Sequence, residues 1–443
     1  MQDLQDAKIK EFSVDNLDIV FIAWLYLLAA YLSVLVLVQI VIAILSVLRL
    51  FRREQARVDD GEQPEISAVI AAHNEEYTLP ITLDSLATQS APPSQLVVVS
   101  DGSTDSTESA AQTFMSNNGI DGSVLTTNRG GKGKALQRGL DEITTPLTCF
   151  VDADVEMDPH ALERLRRHFV DPAVVAMSVW VWPRVTKQRK GLIAYALVLF
   201  QVIEYARAIL WRPGWEKLGA LSIVEGRLGM FRTDVLKSTH TLRTTSSAID
   251  YALTLEIHRE CSEKRTPYKI GLETKATVWT DVPLNLSTFF AQRMRFASGF
   301  FRAYALNRSM LWVREYGALG MFELPVRLFT SFFATIEFLL WASCGLLSIA
   351  GHSLASTAWT ILLTYLLLVT VQLYLSLALS RRFTVYRWPA RFDRLLWLMV
   401  PLAAVVWEPI KGLANLAGWI KMPWLQSPWR PLRNEQPLTT HQL

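Results

Sequence analysis

Two carboxylates, Asp152 and Asp154, close the run Thr148-Cys-Phe-Val-Asp-Ala-Asp-Val155. The residues before them suit a buried strand, and on an extended strand side chains two apart share a face. At the carboxyl end of a strand in an α/β sheet, that face looks into the crevice where ligands bind. Two acids side by side repel unless something positive lies between them, and a hard divalent cation carrying a diphosphate fills that role. The same Asp-x-Asp pattern also occurs in plain surface turns, so its meaning depends on what else the chain supplies.

Asp101 closes a second apolar run and opens Asp101-Gly-Ser-Thr-Asp105. A carboxylate there can accept hydrogen bonds from a base or ribose, and Gly102 lets the chain turn beside a ligand. Ser103, Thr104 and Asp105 equally suit the N-cap of the helix that follows. Lys132 lies in Asn128-Arg-Gly-Gly-Lys-Gly-Lys-Ala135, a Gly-rich loop ahead of a helix. That setting suits a phosphate, or simply a solvated lysine in a turn. Asp250 begins an amphipathic helix, where a carboxylate is favourable even without chemistry. Further on, Gln292, Arg295, Gly299 and Arg302 share one helical face, with Arg293 and Phe296 alongside. Planar guanidinium donors match a pyrophosphate, while a basic helix lying on lipid headgroups has the same composition.

The elements that must position these groups alternate. Strands are expected over Ile66–Ala72, Gln95–Ser100 and Ser123–Thr127, each ending in a polar loop that leads into a helix. This is the signature of βαβ units in a mainly parallel sheet, with the polar loops gathered on one edge.

On either side of this unit the chain is apolar. Ile19–Leu48 carries no charge and is long enough to cross a bilayer with tilt. It is too long for a signal-peptide core and reads as a retained anchor, leaving residues 1–18 outside the cytoplasm. Arg49, Arg52, Arg53 and Arg57 follow, placing that end in the cytoplasm. Residues 49–320 are then expected to form a cytoplasmic domain with interfacial helices. Residues 321–420 return to the membrane, with spans over about 328–350 and 353–380. A third segment, 395–420, contains Pro401, Glu408, Pro409 and Lys411, so spanning and re-entrant forms both stay open. Residues 421–443 form a tail. In the second span, Glu337 is expected to face a polar path, to pair with Arg327 or to hydrogen-bond between helices. Trp180 and Trp182 suit either a sugar path or the core.

Composition agrees with a mixed architecture. Of 443 residues 51% are hydrophobic and 19% charged, too apolar for an ordinary soluble enzyme and too charged to lie wholly in lipid. A net charge of +3 gives no bulk attraction to nucleic acid. Cys149, Cys261 and Cys344 are far apart and fit no metal spacing.

The ordered set Asp101, Asp152-Ala-Asp154, Asp250 and Gln292-Arg-Met-Arg-Phe296 resembles the membrane-bound inverting family 2 glycosyltransferases. These include hyaluronan, chitin, cellulose, poly-N-acetylglucosamine and nodulation chitooligosaccharide synthases. The resemblance covers nearly the whole chain. Asn74-Glu75, Gly131-Lys132, Gln201 with Glu204-Tyr205, and Gly226 with Phe231-Arg232 add to it. It implies a GT-A fold, an α/β domain with a mainly parallel, Rossmann-like sheet, joined to α-helical transmembrane segments. It implies a UDP-sugar donor with Mg2+ or Mn2+. Asn74, Glu75, Asp101, Lys132, Asp152, Gln292, Arg293 and Arg295 would bind the nucleotide-sugar, and Asp154 the metal. Asp250 would be the general base, Phe296 and Gly226 would meet the acceptor, and Trp429 and Arg433 would match a C-terminal gating pair. Three departures stand on the acceptor side. Ala248-Ile-Asp250 lacks the family's neighbouring acid, Phe296 replaces the usual Trp, and Glu225 replaces a small residue before Gly226, with Arg227 after it.

The expected function is extension of a polysaccharide from UDP-GlcNAc or UDP-Glc, processively and with translocation, by an integral protein of the inner or plasma membrane. A single transfer to a membrane lipid, as in ceramide glucosyltransferases, is the rival reading. A non-catalytic sugar-binding or transport subunit is the remote one. The partners implied are the UDP-sugar, the growing polymer or lipid acceptor and membrane lipids, with no nucleic acid.

Overall fold

The computed structural model describes residues 2–55, 63–118, 120–185, 191–243, 248–331, 333–386 and 388–421. Its centre is an eight-stranded sheet in the order β3-β2-β1-β4-β7-β6-β8-β5. The strands are β1 (Ile66–Ala72), β2 (Gln95–Asp101), β3 (Gly122–Thr127), β4 (Leu147–Asp152), β5 (Val155–Met157), β6 (Val174–Pro183), β7 (Leu228–Arg232) and β8 (Lys269–Thr280). β1 to β4 are mutually parallel where they pair. Val, Ile and Ala fill β1 and β2 because both faces are covered, as helix crossovers require. Their carboxyl ends coincide: Ala71 of β1 stands level with Asp152 of β4, and Asp101 of β2 with Thr127 of β3. Beyond β4 the sheet becomes mixed, with β7 antiparallel to both β4 and β6, β8 parallel to β6, and β5 antiparallel to β8.

Around the sheet stand long apolar helices. Among the described residues, five segments are long and apolar enough to cross a membrane: Ile19–Arg52, Leu192–Lys217, Leu319–Ile349, Ala355–Phe383 and Ala390–Ile420. The second was not anticipated as a span. Its helix Leu192–Arg207 packs on β6 and on the helices Ala355–Phe383 and Ala390–Leu402, so its apolar surface is largely buried inside the protein. Pro401 ends regular hydrogen bonding in the last segment, and a π turn over Ala403–Trp407 leads into the helix Glu408–Lys421. The N-terminal helix lies against Arg212–Lys217, where Gly214 permits contact, since a Cβ there would sit 2.5 Å from the Ile42 carbonyl oxygen. Glu337 neither meets Arg327 nor stands in the open. It is buried and accepts a hydrogen bond from Tyr365 Oη at 3.0 Å, while Arg327 pairs with Glu323. Trp182 is buried against these helices and donates to Thr384 Oγ1 at 3.3 Å.

Candidate active site

One cavity of about 1140 Å³ opens at the carboxyl edge of the sheet. Asp152 reaches it from the last residue of β4. Asp154 does not extend that strand: Ala153 and Asp154 form a turn between β4 and β5, so the turn, not strand alternation, brings the two carboxylates together. Lys132, at the start of the helix Lys132–Leu140, forms an ion pair with Asp152 Oδ1 and donates to the Gly226 carbonyl at 3.3 Å. This lysine brings a positive charge into contact with Asp152, beside the second acid.

Asp101 is only 2% exposed and does not line the cavity. Its two oxygens accept from the amides of Gly130 (2.6 Å) and Gly131 (2.9 Å), so it shapes the Gly-rich loop from behind. Gly131 supplies the positive φ, 91°, that the loop needs before its helix. Asn74, at φ 57°, joins the ends of β1 and β2: its amide donates to Ser103 Oγ, and its Oδ1 accepts from the Thr104 amide at 2.8 Å. Glu75 lines the cavity and accepts from the Thr78 hydroxyl. Burial, then the nearby charge of Asp154, pushes its pKa to about 8.

Asp154 fits a hard divalent cation. Its carboxylate accepts no hydrogen bond from the described residues, and burial with repulsion from Asp152 and then Asp281 raises its pKa to about 6. A dication removes that repulsion. Among the described residues no three His, Cys, Asp or Glu side chains are gathered around one point, so diphosphate oxygens and water would complete the shell.

Across the cavity, Asp250 lies in the first turn of the helix Ile249–Glu263. Thr254 of that helix accepts from the Val224 amide at 2.9 Å, which draws residues 224–226 against it. A Cβ on Gly226 would meet Asp250 Cβ at 3.3 Å and Lys132 Nζ at 3.5 Å, so a larger residue would crowd both. Burial and then the charge of Glu225 raise the pKa of Asp250, with Lys132 and Arg227 opposing.

The helix Leu286–Leu306 brings Gln292, Arg293, Arg295 and Phe296 to the wall. Arg293 is already paired with Glu204, at 2.8 and 2.9 Å, and lies over the ring of Phe289. Arg295 has no carboxylate partner among the described residues. It lies 5.7 Å from the centre of Phe296, and burial followed by the charge of Arg227 lowers its pKa. Trp429 and Arg433 lie outside the described residues. Residues not singled out from sequence also line the cavity, among them Arg212, Asp281 and Phe300, and so does Arg327, expected only as a partner for Glu337. Arg227, noted in sequence only as a departure, is another. It pairs with Glu225 (3.3 Å) and donates to Tyr205 Oη at 3.0 Å. The fold, not local pattern, brings these groups in.

Residues 67–222 match the Glycosyl transferase family 2 profile. The chain carries a family 2 glycosyl transferase domain. The match includes Asn74, Glu75, Asp101, Lys132, Asp152 and Asp154, whereas Gly226, Asp250 and the arginine helix lie beyond it. Over 252 residues the chain is 27% identical to a poly-beta-1,6-N-acetyl-D-glucosamine synthase of Staphylococcus epidermidis, covering 56% of this chain and 58% of that protein. The synthase of Staphylococcus aureus strain COL is 26% identical over 250 residues, covering 56% and 57%. The chain thus spans little more than half the length of the curated relatives it matches. A mannosyltransferase from Pyrobaculum calidifontis, solved with GDP-Man and Mn2+, superposes with a TM-score of 0.56 at 18% identity, covering 90% of this chain and all of that one. The family 2 domain therefore has the GT-A fold, with its helices included in the likeness.

Proposed function

We propose that this protein is a membrane-bound inverting glycosyltransferase that extends a polysaccharide from a UDP-sugar, UDP-GlcNAc or UDP-Glc, and passes the product through its own helices. The observation that carries this reading is that Asp250 and the pair Asp154 and Arg295 line one cavity on separate elements. The acceptor hydroxyl oxygen attacks the anomeric carbon as its proton passes to Asp250. The bond from that carbon to the diphosphate breaks, and the leaving nucleotide takes the electron pair. Arg295, Arg227 and Lys132 supply positive charge on that side, and Asp101 holds the Gly-rich loop that faces it. Mg2+ or Mn2+ held at Asp154 would add Lewis-acid stabilisation of the diphosphate. Gln292 would steady the leaving diphosphate, and Phe296 would border the acceptor path. The staphylococcal relatives' printed names favour N-acetylglucosamine. The arginines after Ile19–Leu48 and after Ser380 favour a cytoplasmic catalytic domain in the inner or plasma membrane.

Single transfer to a membrane lipid is kept as a second reading. Arg212 and Arg327 line the cavity yet belong to segments apolar enough to meet lipid. Purified protein in lipid nanodiscs, given a panel of labelled UDP-sugars, is expected to make a polymer. A product of one sugar on lipid favours the second reading, and no turnover with any donor overturns both. Asp250→Asn is expected to cut transfer by about 100-fold or more while leaving UDP binding within about twofold. Equal loss of binding and transfer overturns the base role.

A further inference from the structure

Glu225 stands where a small residue was expected, and the structure gives it specific work. Its Oε1 lies 3.2 Å from Arg212 Nη1 and its Oε2 3.3 Å from Arg227 Nη1. Its amide donates to Ser178 Oγ at 2.9 Å, and the same hydroxyl accepts from Arg212 Nη2 at 2.5 Å. Arg212 is 9% exposed and donates to the Val179 carbonyl. Glu225 thus fastens residues 225–227 to β6 and to the Arg212–Lys217 helix beneath the N-terminal helix. The next residue, Gly226, is the one packed against Asp250.

We propose that Glu225 is a positioning residue of the acceptor side: a second carboxylate beside Asp250, taking the place of the acid absent at Ile249 and holding Arg227 towards the donor. Its negative charge favours the proton on Asp250 and so makes Asp250 the stronger base. The two arginines hold the Glu225 carboxylate between them. The charged groups facing Asp250 are Lys132 from the helix Lys132–Leu140, Glu225 and Arg227 from the 225–227 segment, and Arg295 from the helix Leu286–Leu306. Three of these four are cations, and Glu225 acts against them, with Asp152 and Asp154 also on the cavity wall.

The kinetic arm rests on the glycosyltransferase reading and the chemical arm does not. In full-length protein, the pH dependence of carbodiimide labelling at Asp250, read by peptide mass spectrometry, follows protonation of that carboxyl directly. Glu225→Gln is expected to lower the labelling midpoint by about half a pH unit or more. It should move the acidic limb of kcat/KM the same way. Arg212→Gln, which strips one cation from the same carboxylate, is expected to move the midpoint upward. It replaces the first variant if Glu225→Gln loses the cooperative thermal transition. An unmoved midpoint in the folded variant overturns the proposal, as does a fall in turnover with an unchanged pH profile, which marks a packing role only. A shifted midpoint in a protein that transfers no sugar upholds the Glu225–Asp250 coupling and rejects the transferase reading instead.

Discussion

Arg295 shows how a single side chain states its need for a ligand. It shares a cavity wall with Arg227, lies near the face of Phe296, and has no carboxylate within ion-pair distance among the described residues. Arg293, two positions away, is already matched by Glu204. In the proposed reaction the two arginines of the same motif divide the work: Arg295 would face the diphosphate, and Arg293 is tied to Glu204. Arg295→Ala is expected to weaken UDP binding and kcat/KM together, by about tenfold or more, the scale of a charge-assisted hydrogen bond. Normal binding and kinetics would leave Arg295 a lipid-facing residue. Residue types and order were enough to single out both arginines. Their division of labour was not, because Glu204 is 89 positions away and its partner is fixed only by tertiary packing.

At the scale of elements, two helices make further predictions. The helix Ile249–Glu263 carries His258, buried between the Leu221 carbonyl (2.9 Å) and Tyr268 Oη (2.8 Å). Burial lowers its pKa from 6.5 to about 4. The unfolded chain therefore takes up a proton below pH 6.5 that the folded chain refuses until about pH 4. Stability is full above that window and falls as pH drops through it, by up to about 3 kcal/mol at 1.36 kcal/mol per unit. Thermal midpoints between pH 7 and pH 4 should show the loss, and His258→Gln should flatten it. A second contact joins the helices Glu408–Lys421 and Leu286–Leu306. A Cβ on Gly418 would stand 2.9 Å from Met294 Cα and 3.1 Å from Ala297 Cβ. Gly418→Val is expected to cost about 1–3 kcal/mol by overpacking and to lower the thermal midpoint and transfer together. An unchanged midpoint would mean that the two helices separate freely. The first three strands were legible because their apolar runs end in Gly, Asn and Asp. Of β6 only Trp180 and Trp182 were legible, as an aromatic stretch suited to the core, and β7 and β8 were not located, since a mixed sheet is set by long-range pairing with no local turn signal.

For the whole molecule, the sheet and the apolar helices share a continuous core. Trp180, Trp182 and Trp279 from the sheet pack in one cluster with Leu25, Leu340, Tyr365 and Trp407 from the helices. Removing lipid should thus disturb the catalytic side as well. After alkaline carbonate washing the protein is expected to stay with the membrane pellet, and recovery in the supernatant would overturn the spanning reading. Hydropathy alone made four of the apolar segments visible. It overlooked Leu192–Lys217, whose packed face and mixed ends, Glu204, Arg207 and Arg212, dilute the signal.

The carboxylate of Glu204 also receives the indole N–H of Trp407 at 3.1 Å, and that indole is stacked on Phe200 and tilted against Phe289. The π turn that carries Trp407 thereby lends a donor to the same acid that steadies Arg293. Grafting residues 63–310 onto foreign helices would keep the groups on the cavity wall apart from Arg327 and still sever this link. A transplanted head would then have its reacting groups but not the brace that sets their spacing.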